Sequence, residues 1–194
     1  MPSNSRGKKF EYYIRDYLNA LGMKARRRKL SGSDLKEPYD IRVRGFIDHA
    51  GVPVAELKRL FPMVIEAKRR MSKNRIIMES EWFDKTKGKS IIVFAIGMKP
   101  GVKIKMYAAS RINLGEEHKS LRMIEMRRTK TINAIDLVSN FLIKSADGKH
   151  YLIQPFDEFL QQKGYIRING GVVGSQDPAS NDVGLKAASF LPTS

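Results

Sequence analysis

The sequence has no cysteine and only three histidines among its 194 residues. The absence of cysteine excludes a disulfide framework and any zinc centre with thiolate ligands. The histidines, His49, His118 and His150, are too far apart in the sequence to indicate a zinc site of their own. A metal bound by this chain is therefore expected to be a hard cation with oxygen ligands.

Long apolar runs are also missing. The longest, residues 91–96, is far shorter than the roughly 20 residues that cross a bilayer. The first residues, MPSNSRGKK, lack the apolar segment of a secretory signal. We therefore expect an intracellular protein without a membrane partner, located in the cytoplasm or nucleoid, or in the host cytoplasm if its source is a virus or phage.

Acidic residues are scarce compared with basic ones. Lysine and arginine number 36 against 20 aspartates and glutamates, which gives a net charge of +16. This excess indicates a polyanionic partner, and nucleic acid is the first candidate. Charge alone does not distinguish an enzyme from a passive binding protein, so the distinction must come from individual residues.

Hydrophobic periodicity and turn residues predict an α/β fold with a mixed central β-sheet flanked by helices. Trp82 lies at helical spacing with Ile76 and Phe83 and is expected in the core. The predicted helices cover residues 6–21, 53–60, 75–87, 132–143 and 156–163, and the predicted strands cover residues 23–27, 39–44, 62–69, 90–98, 103–110, 121–126 and 151–154.

The chain is long enough for one domain with a proper core. We expect this core in residues 1–110, with an insertion at residues 45–61. An α/β extension over residues 111–173 is expected to follow. Residues 174–194 are rich in Ser, Ala, Gly and Asp, which is typical of a flexible tail.

Two segments carry the chemistry. Glu66 and Lys68 end the apolar run of residues 63–68, and their spacing puts both side chains on one face of a strand. Asp40 ends the Ser/Gly loop and begins another predicted strand. Carboxylate oxygens are the ligands that Mg²⁺ prefers, and a divalent cation can polarise a phosphate and acidify a water.

The candidate metal ligands are Asp40, Glu66 and the backbone carbonyl of Ala67. Glu11 lies on the flank of the buried face of the first helix, one turn from Ile14, and can supply a third carboxylate directly or through water. Lys68 is a candidate for stabilising negative charge on the phosphate or for positioning the attacking water. Mn²⁺ is a possible substitute for Mg²⁺, and no small-molecule cofactor is expected.

These motifs together resemble those of the archaeal-type Holliday junction resolvases, which belong to the PD-(D/E)xK nuclease superfamily. The resemblance covers residues 6–110 and rests on an ordered set: helix-borne Glu11, Ser31-Gly32-Ser33, Pro38-x-Asp40-Ile41 and Ile65-Glu66-Ala67-Lys68.

The resemblance implies a Mg²⁺-dependent endodeoxyribonuclease acting in DNA recombination and repair. Its partner would be branched DNA, cut by paired symmetric nicks, and it would work as a homodimer. Ser33 would contact the scissile phosphate, with Ser31 as the competing residue. The insertion at residues 45–61 and the residues after 110 depart from the compact members of the family.

Basic clusters surround this proposed site in the sequence and suit phosphate contacts, which set affinity and register without reading bases. A later basic group, Arg122, Arg127 and Arg128, has no clear relation to the site. The expected DNA-contacting residues are Lys8, Lys9, Arg26, Arg27, Arg28, Lys29, Ser31, Arg69 and Arg70.

Simpler interpretations remain open. Glu11 would then be a surface residue favoured by the helix dipole, Asp40 a turn residue, and Glu66 with Lys68 an ordinary polar strand face. Ser33 would only form loop hydrogen bonds, and the basic runs would be a solvated surface. The alternative functions are another DNA nuclease on the same fold, of restriction or repair type, and a basic nucleic-acid-binding module without catalysis.

Overall fold

The structure is a computed structural model that describes residues 4–28, 39–68, 71–72, 75–84, 90–96, 104–133 and 139–166. The helices are α1 (Asn4–Ala20), α2 (Val54–Leu60), α3 (Ser80–Asp84) and α4 (Phe156–Lys163). The strands are β1 (Met23–Arg27), β2 (Ile41–Phe46), β3 (Met63–Lys68), β4 (Met71–Ser72), β5 (Arg75–Glu79), β6 (Ser90–Ile96), β7 (Lys105–Ile112), β8 (Met123–Glu125), β9 (Thr129–Asn133), β10 (Phe141–Lys144) and β11 (His150–Pro155).

The main sheet has eight strands in the order β1-β2-β3-β6-β7-β11-β10-β8. Strands β3 and β6 are parallel, as are β8 and β10, and the other neighbours are antiparallel. The expectation of an α/β fold with a mixed central sheet flanked by helices is confirmed. Because β7 pairs with both β6 and β11, strands from both sides of residue 110 share this sheet. The division of the chain at residue 110 stays a prediction.

One face of the main sheet packs against α1 and α4. The apolar stripe of α1, formed by Phe10, Ile14 and Leu18, is fully buried. It meets alternating strand residues such as Ile41 and Ile65, which face inward because side chains alternate along a strand. Removing these apolar side chains from water supplies the main driving force for docking α1 on the sheet.

The other face is covered by a second, three-stranded sheet in the order β4-β5-β9. Trp82 and Phe83 of α3 are buried in the core between the two sheets, together with Phe94 of β6. The hydroxyl of Tyr151 donates a 2.8 Å hydrogen bond to the Phe83 carbonyl inside this core. The expected core position of Trp82 is therefore confirmed.

Two predicted helices are wrong. Residues 75–87 were predicted as one helix, but residues 75–79 form β5 and only residues 80–84 are helical, while residues 85–87 lie outside the described part. Residues 132–143 were also predicted as helical, but their two ends belong to β9 and β10. The pairing of β5 with β9, distant in the sequence, and the pairing of β10 with β8 and β11 override the local pattern.

The remaining predicted elements are present, with shifts of a few residues at their ends. The hairpin of β6 and β7 and the helix at residues 156–163 are examples. The predicted tail, residues 174–194, lies outside the described residues. Within the described ranges, the structure contains no helix of sufficient length and apolar character to cross a bilayer.

Candidate functional site

Strand β3 presents Glu66 and Lys68 on the face opposite α1. Met63 and Ile65 are fully buried in the core shared with α1, and Ala67 packs against the same core. Alternation along the strand therefore directs the Glu66 and Lys68 side chains to the other face, as the sequence predicted. The Lys68 Nζ atom lies 2.5 Å from Glu66 Oε1, and these side chains are only 23% and 19% exposed.

Asp40 is held at the point where β1, β2 and β3 meet. Its backbone N–H donates to the Ile65 carbonyl at 3.0 Å, and its carbonyl accepts from the Arg28 N–H at 2.8 Å. Its side-chain Oδ2 accepts a hydrogen bond from the backbone N–H of Ala67 at 2.8 Å. Two backbone hydrogen bonds thus hold Asp40 in place, and a third fixes its carboxylate beside the strand that carries Glu66 and Lys68.

Burial is the largest of the effects that together raise the pKa of the Asp40 carboxyl to about 6, because a carboxylate removed from water loses its hydration. The negative charge of Glu66 also raises this pKa, and the charge of Glu11 makes a smaller contribution. The hydrogen bond from Ala67 and the positive charge of Lys68 act in the opposite direction. The Asp40 carboxylate therefore responds to the charges of Glu11, Glu66 and Lys68 together.

Glu11 of α1 is buried and forms an ion pair with Arg27 Nε of β1. Both side chains are only 12% exposed. The Arg27 guanidinium also lies 5.0 Å from the centroid of the Tyr12 ring. Arg27 is thus bound on one side by a carboxylate and on the other by an aromatic ring.

The sequence predicts a DNA contact for Arg27, whereas its ion pair with Glu11 was not predicted. The signal was available in the alternation of β1, because Arg27 shares the inward face with Met23 and Ala25. Glu11 lies next to the buried face of α1, so an ion pair between the Glu11 carboxylate and the Arg27 guanidinium is to be expected. The assignment of Arg27 to DNA contact stays a prediction.

The three predicted acids do not form one compact ligand cluster. In the described part of the chain, no three acidic or histidine side chains are close enough together to hold a metal ion. Glu11 instead contacts Arg27, and Glu66 contacts Lys68. The structure therefore brings Asp40, Glu66 and Lys68 to one strand end and places Glu11 within electrostatic range of Asp40.

The predicted DNA contacts fall into two groups. Lys8, Lys9 and Arg26 are exposed, whereas Arg28 is half-buried with its guanidinium 5.5 Å from the centroid of the Tyr39 ring. The exposed cations lie on α1 and β1, the two elements that carry Glu11 and Arg27. The other predicted site residues, Lys29, Ser31, Ser33, Arg69 and Arg70, lie outside the described residues.

No protein-family model matches this chain, and no curated protein shows a significant match to it. The functional interpretation therefore depends on the geometry of this site, on the charge of the chain and on the motifs in its sequence.

Proposed function

We propose that this protein is a Mg²⁺-dependent endonuclease with a PD-(D/E)xK core that nicks four-way DNA junctions symmetrically. The observation that best supports this proposal is the position of Asp40. Its carboxylate is hydrogen-bonded to the backbone of Ala67 and is close enough to Glu66 and Lys68 for their charges to shift its pKa. Strongly perturbed pKa values of this kind occur preferentially at functional sites.

Asp40 and Glu66 would hold the cation together with the Ala67 carbonyl. The N–H and carbonyl of one residue in an extended strand point toward the same neighbouring strand, and the Ala67 N–H already points to Asp40. Mg²⁺ commonly uses one or two carboxylates and keeps several waters, so two acids are sufficient. A Mg²⁺ ion held here would polarise a phosphate oxygen and lower the pKa of a bound water.

Lys68 and Glu11 would have supporting roles. The ion pair with Glu66 keeps the Lys68 ammonium at the strand end, where it would stabilise the negative charge that develops on the phosphate. Glu11 would add a third carboxylate through a water, and Arg27 would keep the Glu11 side chain in place. The contact of Ser33 with the scissile phosphate and the use of Mn²⁺ as a substitute for Mg²⁺ stay predictions.

The preference for branched DNA comes from the resemblance to the resolvases, because the same catalytic residues serve nucleases with many substrates. A four-way junction presents two equivalent strands, so a homodimer with two-fold symmetry would make paired nicks. The positive charge of the chain supports a DNA substrate in general. A restriction-type or repair-type nuclease is the nearest alternative.

A DNA-binding module without catalysis is the second candidate. It is favoured by the ion pairs, because Glu11 and Glu66 each contact a basic side chain and the acids form no compact cluster in the described residues. In that case the buried charges would have only a structural role. The raised pKa of Asp40 argues against it, because removing a carboxylate from water next to other negative charges lowers stability.

The experiment uses a labelled immobile four-way junction, a linear duplex of matched sequence and single strands, each incubated with the protein in Mg²⁺ or in EDTA. Paired nicks near the branch point that need Mg²⁺ and are lost in Glu66→Ala would support the resolvase function. Equal cutting of the linear duplex would favour the other nucleases. Tight binding without any cutting would support the non-catalytic module.

A further inference from the structure

A group of basic residues that is separated from the site in the sequence lies on the second sheet. Arg127 and Arg128 precede β9, and Lys130 lies on β9. All three are exposed, and none of them forms an ion pair with an acid among the residues that the structure describes. We call these three residues the β9 basic surface.

The second sheet connects this surface to β4, the strand that follows Lys68 in the sequence. Strand β4 begins three residues after Lys68, at Met71, and the sheet continues in the order β4-β5-β9. Neighbouring strands are about 4.8 Å apart, so β9 lies about 10 Å from β4. Met71 of β4 is in register with Ile76 of β5, and Ile76 is in register with Ile132 of β9. Lys130 lies two residues from Ile132, which is a further distance of about 7 Å along β9.

Two of the neighbouring acids have partners outside this surface. Glu79 is in register with Thr129 on β9, and its Oε2 accepts a hydrogen bond from the Trp82 indole N–H. Glu125 of β8 lies near Lys144 instead, at 3.6 Å. The cations of the β9 basic surface therefore remain exposed for an external anion.

We infer that the β9 basic surface binds the phosphate backbone of the duplex arm that leads to the site at Asp40 and Glu66. This inference rests on the proposed function. Duplex DNA carries one negative charge per about 1.7 Å of its axis, so an arm crossing the site also presents phosphates over β9. Such contacts would contribute affinity and orientation without reading sequence.

A structural alternative exists for the same residues. In the described part of the second sheet, β9 is an edge strand, and exposed lysines on edge strands prevent association with other strands. If this were their main role, removing the charges would cause self-association and leave the affinity for DNA unchanged. The two roles therefore predict different measurements.

The test compares two triple variants with the same loss of three positive charges. The first is Arg127→Gln, Arg128→Gln and Lys130→Gln. The matched control changes exposed or half-exposed cations at the end of the main sheet where β6 begins, which is opposite to the end that carries Lys68. These changes are Arg111→Gln, Lys149→Gln and Lys163→Gln. Junction and duplex affinities are measured in EDTA over a range of salt concentrations, with gel filtration and circular dichroism to check assembly and folding.

For the first variant we expect binding to be at least about tenfold weaker and the slope of log affinity against log salt to be smaller by about 3. Each single variant should reduce this slope by about 1, which keeps the test valid if the triple variant folds poorly. The control should change the slope by less than about 1.

Equal effects in both triple variants would overturn the inference, because they would show a general effect of net charge. Unchanged DNA affinity with self-association would also overturn it, in favour of edge protection. Neither result affects the proposed function, which is judged by whether the wild-type protein cuts a junction. A wild-type protein that binds through this surface but never cuts would contradict the proposed function alone.

Discussion

The charges at the end of β3 and those on the β9 basic surface differ in burial and in partners. At the end of β3, Glu66 is paired with Lys68 and mostly buried, and Asp40 is half-buried with a raised pKa. On the β9 basic surface, Arg128 and Lys130 are exposed and have no acidic partner in the described residues. Buried charges respond to pH and to the loss of a partner, whereas exposed charges respond to salt.

The largest expected effect is on cutting. Replacing Asp40 with Asn removes one of the two proposed carboxylate ligands and should slow junction cutting by about a thousandfold or more, which corresponds to about 4 kcal/mol. DNA affinity should be kept or increased, because a negative charge near the phosphate is lost. Single-turnover cutting rates and binding constants measure both effects. The exposed acid Glu125 provides the control, since Glu125→Gln should cut normally.

The next effect concerns the ion pair between Glu11 and Arg27. Arg27→Gln leaves a buried Glu11 carboxylate without its partner and should lower the free energy of unfolding by about 3 kcal/mol. Arg15→Gln is the matched control on α1, because the ion pair of Arg15 with Asp16 is 32% and 62% exposed. It should cost less than about 1 kcal/mol. Equal losses in urea unfolding would contradict the assigned difference in burial.

Asp40 also makes stability depend on pH. Its folded pKa of about 6 is above the ordinary value of 3.8, so the folded state binds the proton more tightly than the unfolded state. The resulting penalty is absent below about pH 4, grows as the pH rises to about 6 and is constant above that value. In EDTA, Asp40→Asn should therefore be about 1 to 3 kcal/mol more stable at pH 8 and equal to wild type at pH 4. A stability gain that does not change with pH would contradict this account.

The smallest effect is expected for the exposed charges. Lys130→Gln should change the free energy of unfolding by less than about 0.5 kcal/mol, because the side chain is exposed and has no acidic partner in the described residues. The stability of this variant should also be insensitive to salt, whereas its DNA binding should depend less steeply on salt than that of wild type. Urea unfolding at low and high salt tests this. A loss of several kcal/mol would show that Lys130 has a structural contact.

The sequence predicted the elements whose local pattern agrees with their tertiary partners. The stripe of Phe10, Ile14 and Leu18 defines α1, and alternation defines the two faces of β3. It failed for β5, where Ile76 and Ile77 suggested a helix although Ile76 and Met78 alternate as a strand. Short apolar runs are ambiguous between helix and strand, and here a strand about 50 residues away decides the outcome.

The candidate site shows the same limit. The common face of Glu66 and Lys68 follows from a spacing of two residues, so the sequence was sufficient for it. The hydrogen bond from Ala67 to Asp40 was not predictable, because it requires β2 and β3 to pair across a connection that contains α2. The position of the β9 basic surface likewise depends on a second sheet whose central strand, β5, was predicted to be helical.

The central claim is that Asp40 and Glu66 together hold a divalent cation. The most direct measurement is the thermal unfolding of the DNA-free protein against Mg²⁺ and Mn²⁺ concentration, for wild type, Asp40→Asn, Glu66→Ala and the exposed control Asp48→Asn. We predict that the cation raises the unfolding temperature of wild type and of Asp48→Asn. At one hundred times the dissociation constant, the free energy of unfolding should increase by about 2.7 kcal/mol. The other two variants should show no such rise, and an equal rise in all four proteins would contradict the claim.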